Sequence, residues 1–483
     1  MTKYNHGVGA NELATQVGEP QITLSGIPVV VGTAPVHLAK NPKVNEPVYA
    51  KKYEDAVDAL GYSEDFEKYT LCQNIYASFV KFEVAPIILI NVLDPEKHRK
   101  ALKEKEYTIT DAQVTIDAED VILSALEVKN GDAVLVQDTD YIASFDDNNK
   151  ALLTVLDTEN TTGATSLTVS GYCLDPTKVT EADIIGGYDE ETGVETGLEL
   201  VRAVFPKYQV LPGTLSAPGF SKNKNVAAML QSKCEKINGM FDCQALIDLD
   251  TSEASKYTDV EQAKSNIGIS GKNSILLWPM LKYGEAVISY SAAMAALIQY
   301  VDAKHNGVPA KSPSNQLLGC DAVCLQDGTE VNLDEAQANT LNAIGVVSAT
   351  NFGGWRSWGN NTACYPVNKD PKDRWINCRR YFSWRENNFI VNTHNKVDGI
   401  PEVRQIQGIV DNENIKGSSY AAAGYCAGDK IEFRMDENPI ENITNGHFKF
   451  HFYLAPYMPM EYIESDFEMD IEAIEKSYEA FTE

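Results

Sequence analysis

Two hydrophobic patterns alternate along this chain, continuous apolar runs and stripes that recur every three or four residues. GIPVVVG (26–32) is a β-branched run bracketed by glycines, and APIILINVL (85–93) is a second one. Both predict strands buried on two faces. Residues 54–85 carry helical periodicity, so strand, helix and strand form an expected α/β unit. From about 107 to 174 the texture shifts to short alternating runs: TITDAQVTI, DAVLVQDTDYIASF, ALLTVL and TSLTVSGYCL. Turn clusters such as Lys129-Asn130-Gly131-Asp132 separate them, which predicts an all-β module set inside the α/β domain. The loop-rich GGYDEETGVETG (186–197) closes it.

Helical spacing then returns over 226–237, followed by the strand CQALIDL (243–249). A long helix is predicted over 285–307, with Gly307 as its stop and Pro309 beyond. Another covers 333–344, ended by Gly345, and a helix-length stripe starts at Trp375. A shorter stripe is Val403, Ile406, Ile409 and Val410. KIEFRMD (430–436) and GHFKFHFYL (446–454) read as strands. In the second, Phe448, Phe450, Phe452 and Leu454 form an apolar row opposite His447, Lys449, His451 and Tyr453. The tail after Ile463 alternates Phe467, Met469 and Ile471 with Glu468, Asp470 and Glu472, which predicts a terminal strand with one apolar face.

Charge narrows the partners. Among 483 residues, 69 acidic against 41 basic give a formal net charge of −28. That argues against a nucleic-acid groove or an anionic membrane surface. No apolar signal region opens the sequence and no run has the length of a membrane span. Nine scattered cysteines read as reduced, buried small hydrophobes. Against this background Lys372, Arg374, Arg379, Arg380 and Arg385 stand out as a basic cluster. Arg379 and Arg380 are adjacent on a helix, so at least one is expected to face solvent or a partner.

Candidate chemistry is thin. Gly268-Ile269-Ser270-Gly271-Lys272-Asn273 approximates a phosphate loop, but Asn266 stands at the first glycine position and Asn273 replaces the hydroxyl that would hold magnesium. A surface turn is the competing reading. Cys320 and Cys324 supply two potential zinc ligands where a structural site needs four, or else two buried thiols. His447 and His451 share a strand face, but about 13 Å apart at strand rise they cannot share an ion. GGWRSWGNNT (353–362) is either a cation–π or sugar platform or a tight loop whose tryptophans plug a seam. No metal ligand set, cofactor motif or nucleophile elbow is identified.

Several pieces of the second half stand in one order from about 275 to 464. They are SILLWP, the long helix, NQLLG (315–319), TLNAIGVVSATNFGG, WRSWGNNT, RWINCRRYFSW and DENPIENITNGHFKFHFYLAPYMPMEYI. In that order they resemble the tail sheath proteins of contractile-tailed bacteriophages, a likeness spanning roughly 26–95 and 196–464. Met460 and Asn361 depart from the family's usual alanine and arginine. Residues 96–195 are similar to the extra β domain of some sheaths, particularly from phages of Gram-positive hosts.

The resemblance implies an α/β (α+β) multi-domain fold. Its parts would be an N-terminal arm (1–25), a sheath domain (26–95 plus 196–365), an inserted all-β outer domain (96–195), a C-terminal core domain (366–460) and a C-terminal arm (461–483). It implies a structural subunit, not an enzyme, with no cofactor. The subunit would polymerise in six-fold rings and a helical tube around a tail tube, and would contract to drive that tube through a host envelope. Partners would be further copies, the tube protein, the baseplate and the tail terminator, with no nucleic acid and no membrane insertion. The setting would be the virion tail, assembled in host cytoplasm. Lys372, Arg374, Arg379 and Arg380 would face the tube. Phe467, Met469 and Ile471 would form an arm strand donated to a neighbour, and Phe448, Phe450 and Phe452 would belong to the accepting sheet. An R-type bacteriocin sheath, another contractile injection sheath, and a nucleotide-dependent α/β enzyme using GISGK are the alternatives.

Overall fold

The computed structural model describes residues 21–22, 24–146 and 148–479, so most of the arm expected at 1–25 lies outside it. The continuous apolar runs become one eight-stranded sheet. Its strands are β1 (Pro28–Gly32), β2 (Pro47–Ala50), β3 (Ile87–Asn91), β4 (Thr214–Ser216), β5 (Gln244–Asp248), β6 (Ser274–Leu277), β7 (Val346–Asn351) and β8 (Trp355–Trp358). In space they run β8-β7-β6-β5-β4-β1-β3-β2. The inner pairings are parallel and the outermost ones, β7–β8 and β3–β2, antiparallel. Parallel strands are covered on both faces, which is why these runs read as unbroken Val, Ile and Leu.

Helix α1 (Tyr290–Ala303) is apolar almost all round and lies buried on this sheet. It is shorter than the predicted 285–307. Ala286–Ile288 instead pairs with Met280–Tyr283 across a turn at Gly284, which has a φ of +61°. Ser289 then starts the helix. Glycine is the residue that adopts such a φ without strain, so the turn overrides the helical stripe.

The β module is a second body with its own core, including Val114, Val128, Leu153 and Leu167. Its entry and exit strands, Arg99–Thr108 and Ser166–Leu174, pair antiparallel, so the module hangs from two adjacent chains. Tyr69 donates to Asp120 at 2.7 Å and Lys68 meets Glu119 at 3.0 Å where it rests on the core. The His37 side chain, 2% exposed, sits behind that contact, with Asp120 3.8 Å away and the Phe145 ring edge-on.

The C-terminal unit comprises α2 (Ile376–Thr393), α3 (Val403–Ala422) and a two-stranded ribbon of β9 (Cys426–Phe433) and β10 (Phe450–Pro456). Helix α3 runs well past the predicted stripe. The fully buried residues of α3 are Glu413 and Gly417, so beyond Val410 its contact face carries little apolar signal. Strand β10 begins at Phe450, so His447–Lys449 lead into it rather than belonging to it. The expected alternation holds in part: Phe448, Phe450, Phe452 and Leu454 are half-buried, while His447, Lys449 and Tyr453 are exposed and His451 is half-buried. The tail corrects a prediction. Residues 457–470 carry no regular structure and Ile471–Glu479 is a helix, α4, not a strand. Ile471, Ile474 and Tyr478 lie at helical spacing, which competes with the period of two seen at Phe467, Met469 and Ile471.

Candidate assembly interface

The basic cluster is spent inside the chain, contrary to the expectation of an outward face. Arg379 is 3% exposed and Arg380 5% exposed. Around the start of α2, Lys372 and Arg379 share Asp373, and the other cations reach further segments. Lys372 reaches Asp373 at 2.6 Å, close to the Asp370 carboxylate that caps the preceding turn. Burial pushes the Asp373 carboxyl up, but hydrogen bonding to and attraction from Lys372 outweigh this and hold it below its usual pKa. Arg379 bonds Asp373 at 3.3 Å and Glu386 at 3.4 Å.

Arg380 makes a two-pronged contact with Asp302 of α1, with its Nη1 2.9 Å from Oδ1. Ser25, where the N-terminal segment enters the core, donates to the same carboxylate at 2.7 Å. A Cβ on Gly26 would lie 2.9 Å from Asp302 Oδ2, so the chain must pass this node as glycine. Arg374 stacks 3.8 Å over the Trp375 ring and donates to Asn361 at 3.0 Å. Its Nη2 also holds Glu461 at 3.2 Å, so the root of the C-terminal tail is fixed at the beginning of α2.

Arg385 organises the ribbon. It donates to both oxygens of Asp429, at 2.7 and 3.1 Å, and to Glu413 at 3.0 Å. Tyr381 adds a hydrogen bond to Asp429 at 2.9 Å. Burial works against the Arg385 charge, and the hydrogen bonds to Asp429 and Glu413 outweigh it, raising its pKa. Three elements thus meet on one guanidinium, whose planar fork suits such a junction. Phe389 of α2 packs edge-on against Phe452 and Phe450, at 5.1 and 5.8 Å between ring centres.

The other candidates resolve as structure. GISGK follows helix Val260–Ile267, which Gly268 terminates in a left-handed conformation, and it leads into β6. A phosphate loop needs strand, loop and helix in that order. Gln231 takes the amides of Ser270 and Gly271, at 3.3 and 2.7 Å, that an anion would need. Cys320 and Cys324 are buried thiols, pushed up by burial to about 12 and about 11. His451 contacts Glu437 at 2.9 Å. Among the described residues no group of three His, Cys, Asp or Glu side chains is placed to hold a metal. Nor is any helix among them long and apolar enough to cross a membrane.

The GGWRSWGNNT segment forms β8. Trp355 is buried, with its indole donating to the Asp321 carbonyl at 3.0 Å, and Asn361 joins the sheet edge to Arg374. A cleft of about 460 Å³ opens at the C-terminal ends of β4 and β5, lined by Phe66, Thr70, Phe220 and Asp248. Burial raises the pKa of Asp248. Its carboxylate takes Ser291 N at 2.8 Å, Ser291 Oγ at 2.5 Å and Ser221 at 3.0 Å, which caps the start of α1.

Sequence reasoning found the arginines but missed their carboxylate partners, Asp302, Glu413 and Asp429. The available signal was Gly417 within α3, since a mid-helix glycine costs about 1 kcal/mol against alanine and here admits the close approach of β9.

No protein-family model matches the chain. It is 25% identical over 479 residues to the tail sheath protein of Burkholderia phage BcepMu, covering 97% of each chain. Its fold is similar to a chain in the anti-feeding prophage baseplate (TM-score 0.59, 13% identity, 97% of this chain and 100% of that one). It is also similar to a chain of an extracellular contractile injection system sheath in its contracted state (0.57, 14%, 98% and 99%). A sheath tail protein from Listeria innocua gives 0.51 at 13% identity, covering 91% of this chain and 96% of that one.

Proposed function

We propose that this chain, a contractile tail-sheath protein by full-length sequence likeness and by fold, is the structural subunit of a phage tail sheath. The observation that carries this is the end-to-end correspondence with a phage tail sheath protein, including 97% of both chains. Copies would stack as six-fold rings into a helical tube around an inner tail tube, engage the baseplate at one end and a terminator at the other, and contract on a signal. The stroke needs no bound nucleotide. Two packings of one subunit differ in free energy, and a modest difference per copy sums over the assembly. Assembly would occur in the host cytoplasm.

The joints would be terminal segments added to the ribbon of a neighbour, with Phe467 and Met469 on the donor and Phe450 and Phe452 on the acceptor. With Arg379 and Arg380 buried, contact with a tube falls to other residues of the C-terminal unit. Catalysis has no part in this account, and the occupied GISGK amides support that reading.

Negative-stain electron microscopy of the expressed chain tests it. Helical tubes with six-fold symmetry are expected, and dispersed subunits across many conditions would contradict it. Measurable ATP hydrolysis by the unassembled subunit would favour the enzyme alternative.

A further inference from the structure

The order of strands in the large sheet reverses once. From β1 the chain builds β2 and β3 on one side, then crosses to β4 on the other and continues outward through β5, β6 and β7. The loops leaving the carboxyl ends of β1 and β4 are led apart, and the crevice between such loops is where open parallel sheets bind small molecules. The cleft of about 460 Å³ stands there. Thr70, on its wall, exchanges hydrogen bonds with Thr33 just beyond β1, at 3.0 and 3.2 Å. Gly219, after β4, and Asp248, at the end of β5, complete the crevice. We propose that this cleft takes up a small aliphatic dication from solution, a diamine or an amino-guanidine. Binding there is a property of the single subunit, apart from the sheath reading above.

The donors that an anion would use are spent. At the start of α1, Gln73 Oε1 accepts from Ser289 N–H at 2.8 Å and Asp248 Oδ1 accepts from Ser291 N–H at 2.8 Å. Ser289 Oγ accepts from Gly219 N–H at 3.2 Å, and Thr251 Oγ1 accepts from Gln326 N–H at 3.1 Å. A phosphate group would have to displace side chains already in place.

The charges favour the opposite sign. Glu64, Asp65, Glu67, Asp248 and Glu285 line the cleft against one cation, Lys222. Lys222 Nζ donates to a neutral acceptor, Gln326 Oε1, at 2.8 Å. Lys68 pairs with Asp65 at 3.0 Å. Among the described residues, no cation stands within ion-pair distance of Glu64, Glu67, Asp248 or Glu285.

A metal ion is the wrong shape for this set. Among the described residues no three carboxylates converge on one point, whereas an extended cation can meet a dispersed set. Asp248 stands at the end of a buried strand, and Glu64, Glu67 and Glu285 are exposed at the mouth. Phe66 and Phe220 supply an apolar wall. That pattern fits an aliphatic stem with a cationic group at each end. The volume falls within the roughly 300–1,000 Å³ of small-ligand sites.

Calorimetric titration of the full-length subunit with agmatine tests this, with butanediol and succinate as the uncharged and anionic counterparts. A single saturable site is expected for agmatine, and none for the other two. Glu67→Gln combined with Glu285→Gln, both at exposed positions, should weaken agmatine about fivefold. Glu104→Gln combined with Glu159→Gln, exposed in the β module, removes as much charge and should leave the affinity unchanged. Equal losses in the two pairs would mean a general attraction to an acidic surface and would overturn the proposal. Absence of saturable binding, or equal binding of butanediol or succinate, would do the same. N-acetyl-arginine amide carries the guanidinium on a peptide backbone, and its binding more tightly than agmatine would overturn the assignment to a free molecule. Hydrogen exchange of the unmodified chain locates the site without a variant. Agmatine should slow exchange at 64–67, 219–222 and 285–289, and slowing confined to other segments would overturn the proposal. Each of these outcomes leaves the sheath reading standing.

Discussion

The chain builds two sheets on opposite principles. The eight-stranded sheet finishes itself: β8 is covered by residues 315–318, with Asn315 N–H bonded to the Ser357 carbonyl at 2.6 Å and Ser357 N–H to the Gln316 carbonyl at 3.0 Å. At the other end, Lys207 and Tyr208 reach the Pro47 carbonyl of β2. The ribbon has two strands and half-buried aromatics, and among the described residues no strand pairs with the outer edge of β10. An exposed edge is a liability that monomeric proteins blunt, and both edges of the large sheet are covered. On the proposed function, the large sheet serves folding and the small one assembly.

Four measurements press on that contrast, beginning with the largest expected effect. Arg385→Met leaves Asp429 buried without its cation and Glu413 with Lys416 alone, and should cost about 3–5 kcal/mol. Denaturation of the subunit should show that loss in the C-terminal unit, with the main sheet still folded. Leu246→Ala, in the centre of the large sheet, should cost about 2–5 kcal/mol by opening a cavity. Its loss should appear as a lower global unfolding midpoint, equal in free and assembled protein.

Acidification probes the third body, the β module. Burial lowers the pKa of His37 from 6.5 to about 4, against an upward pull from Asp120. Lys68 and Tyr69 face the same site. The folded state favours the neutral ring, so its contribution is complete above pH 6.5 and is lost as pH falls through about 4. The change is about 3 kcal/mol. Tyr69 and Phe145 signals should report loosening of the module at low pH, and His37→Phe should flatten the dependence. Phe452→Ala should be the mildest, at about 1 kcal/mol in the free subunit, because the ring is only half-buried there. Its effect on tube formation should be larger than on subunit melting; equal effects would erase the distinction between the sheets.

The sequence displays the large sheet far better than the ribbon. Buried parallel strands such as Val29–Val31 and Ile87–Ile90 announce themselves as unbroken apolar runs. The ribbon is held by Arg385, Asp429, Glu413 and Asn414, polar residues whose partners lie 28 or more positions away or on a helix whose apolar stripe stops at Val410. A charge cluster in sequence does not say whether its counter-charges will be folded against it, so Arg379 and Arg380 read as surface and are core. Gly284 and the helical spacing of Ile471, Ile474 and Tyr478 show the same limit, since local turn chemistry or a rival period decides between two plausible elements. The alternation of β10 was legible because a strand with one wet face writes its period directly.

Hydrogen exchange across 426–456, in the free subunit and in assembled tubes, tests the division of labour most directly. The Ile431 amide, held by Asn414, should be protected in both states. The amides of Phe452 and Leu454 should exchange freely in the subunit and become protected on assembly. Protection of Phe452 and Leu454 before assembly, or free exchange after it, would contradict an edge reserved for another copy.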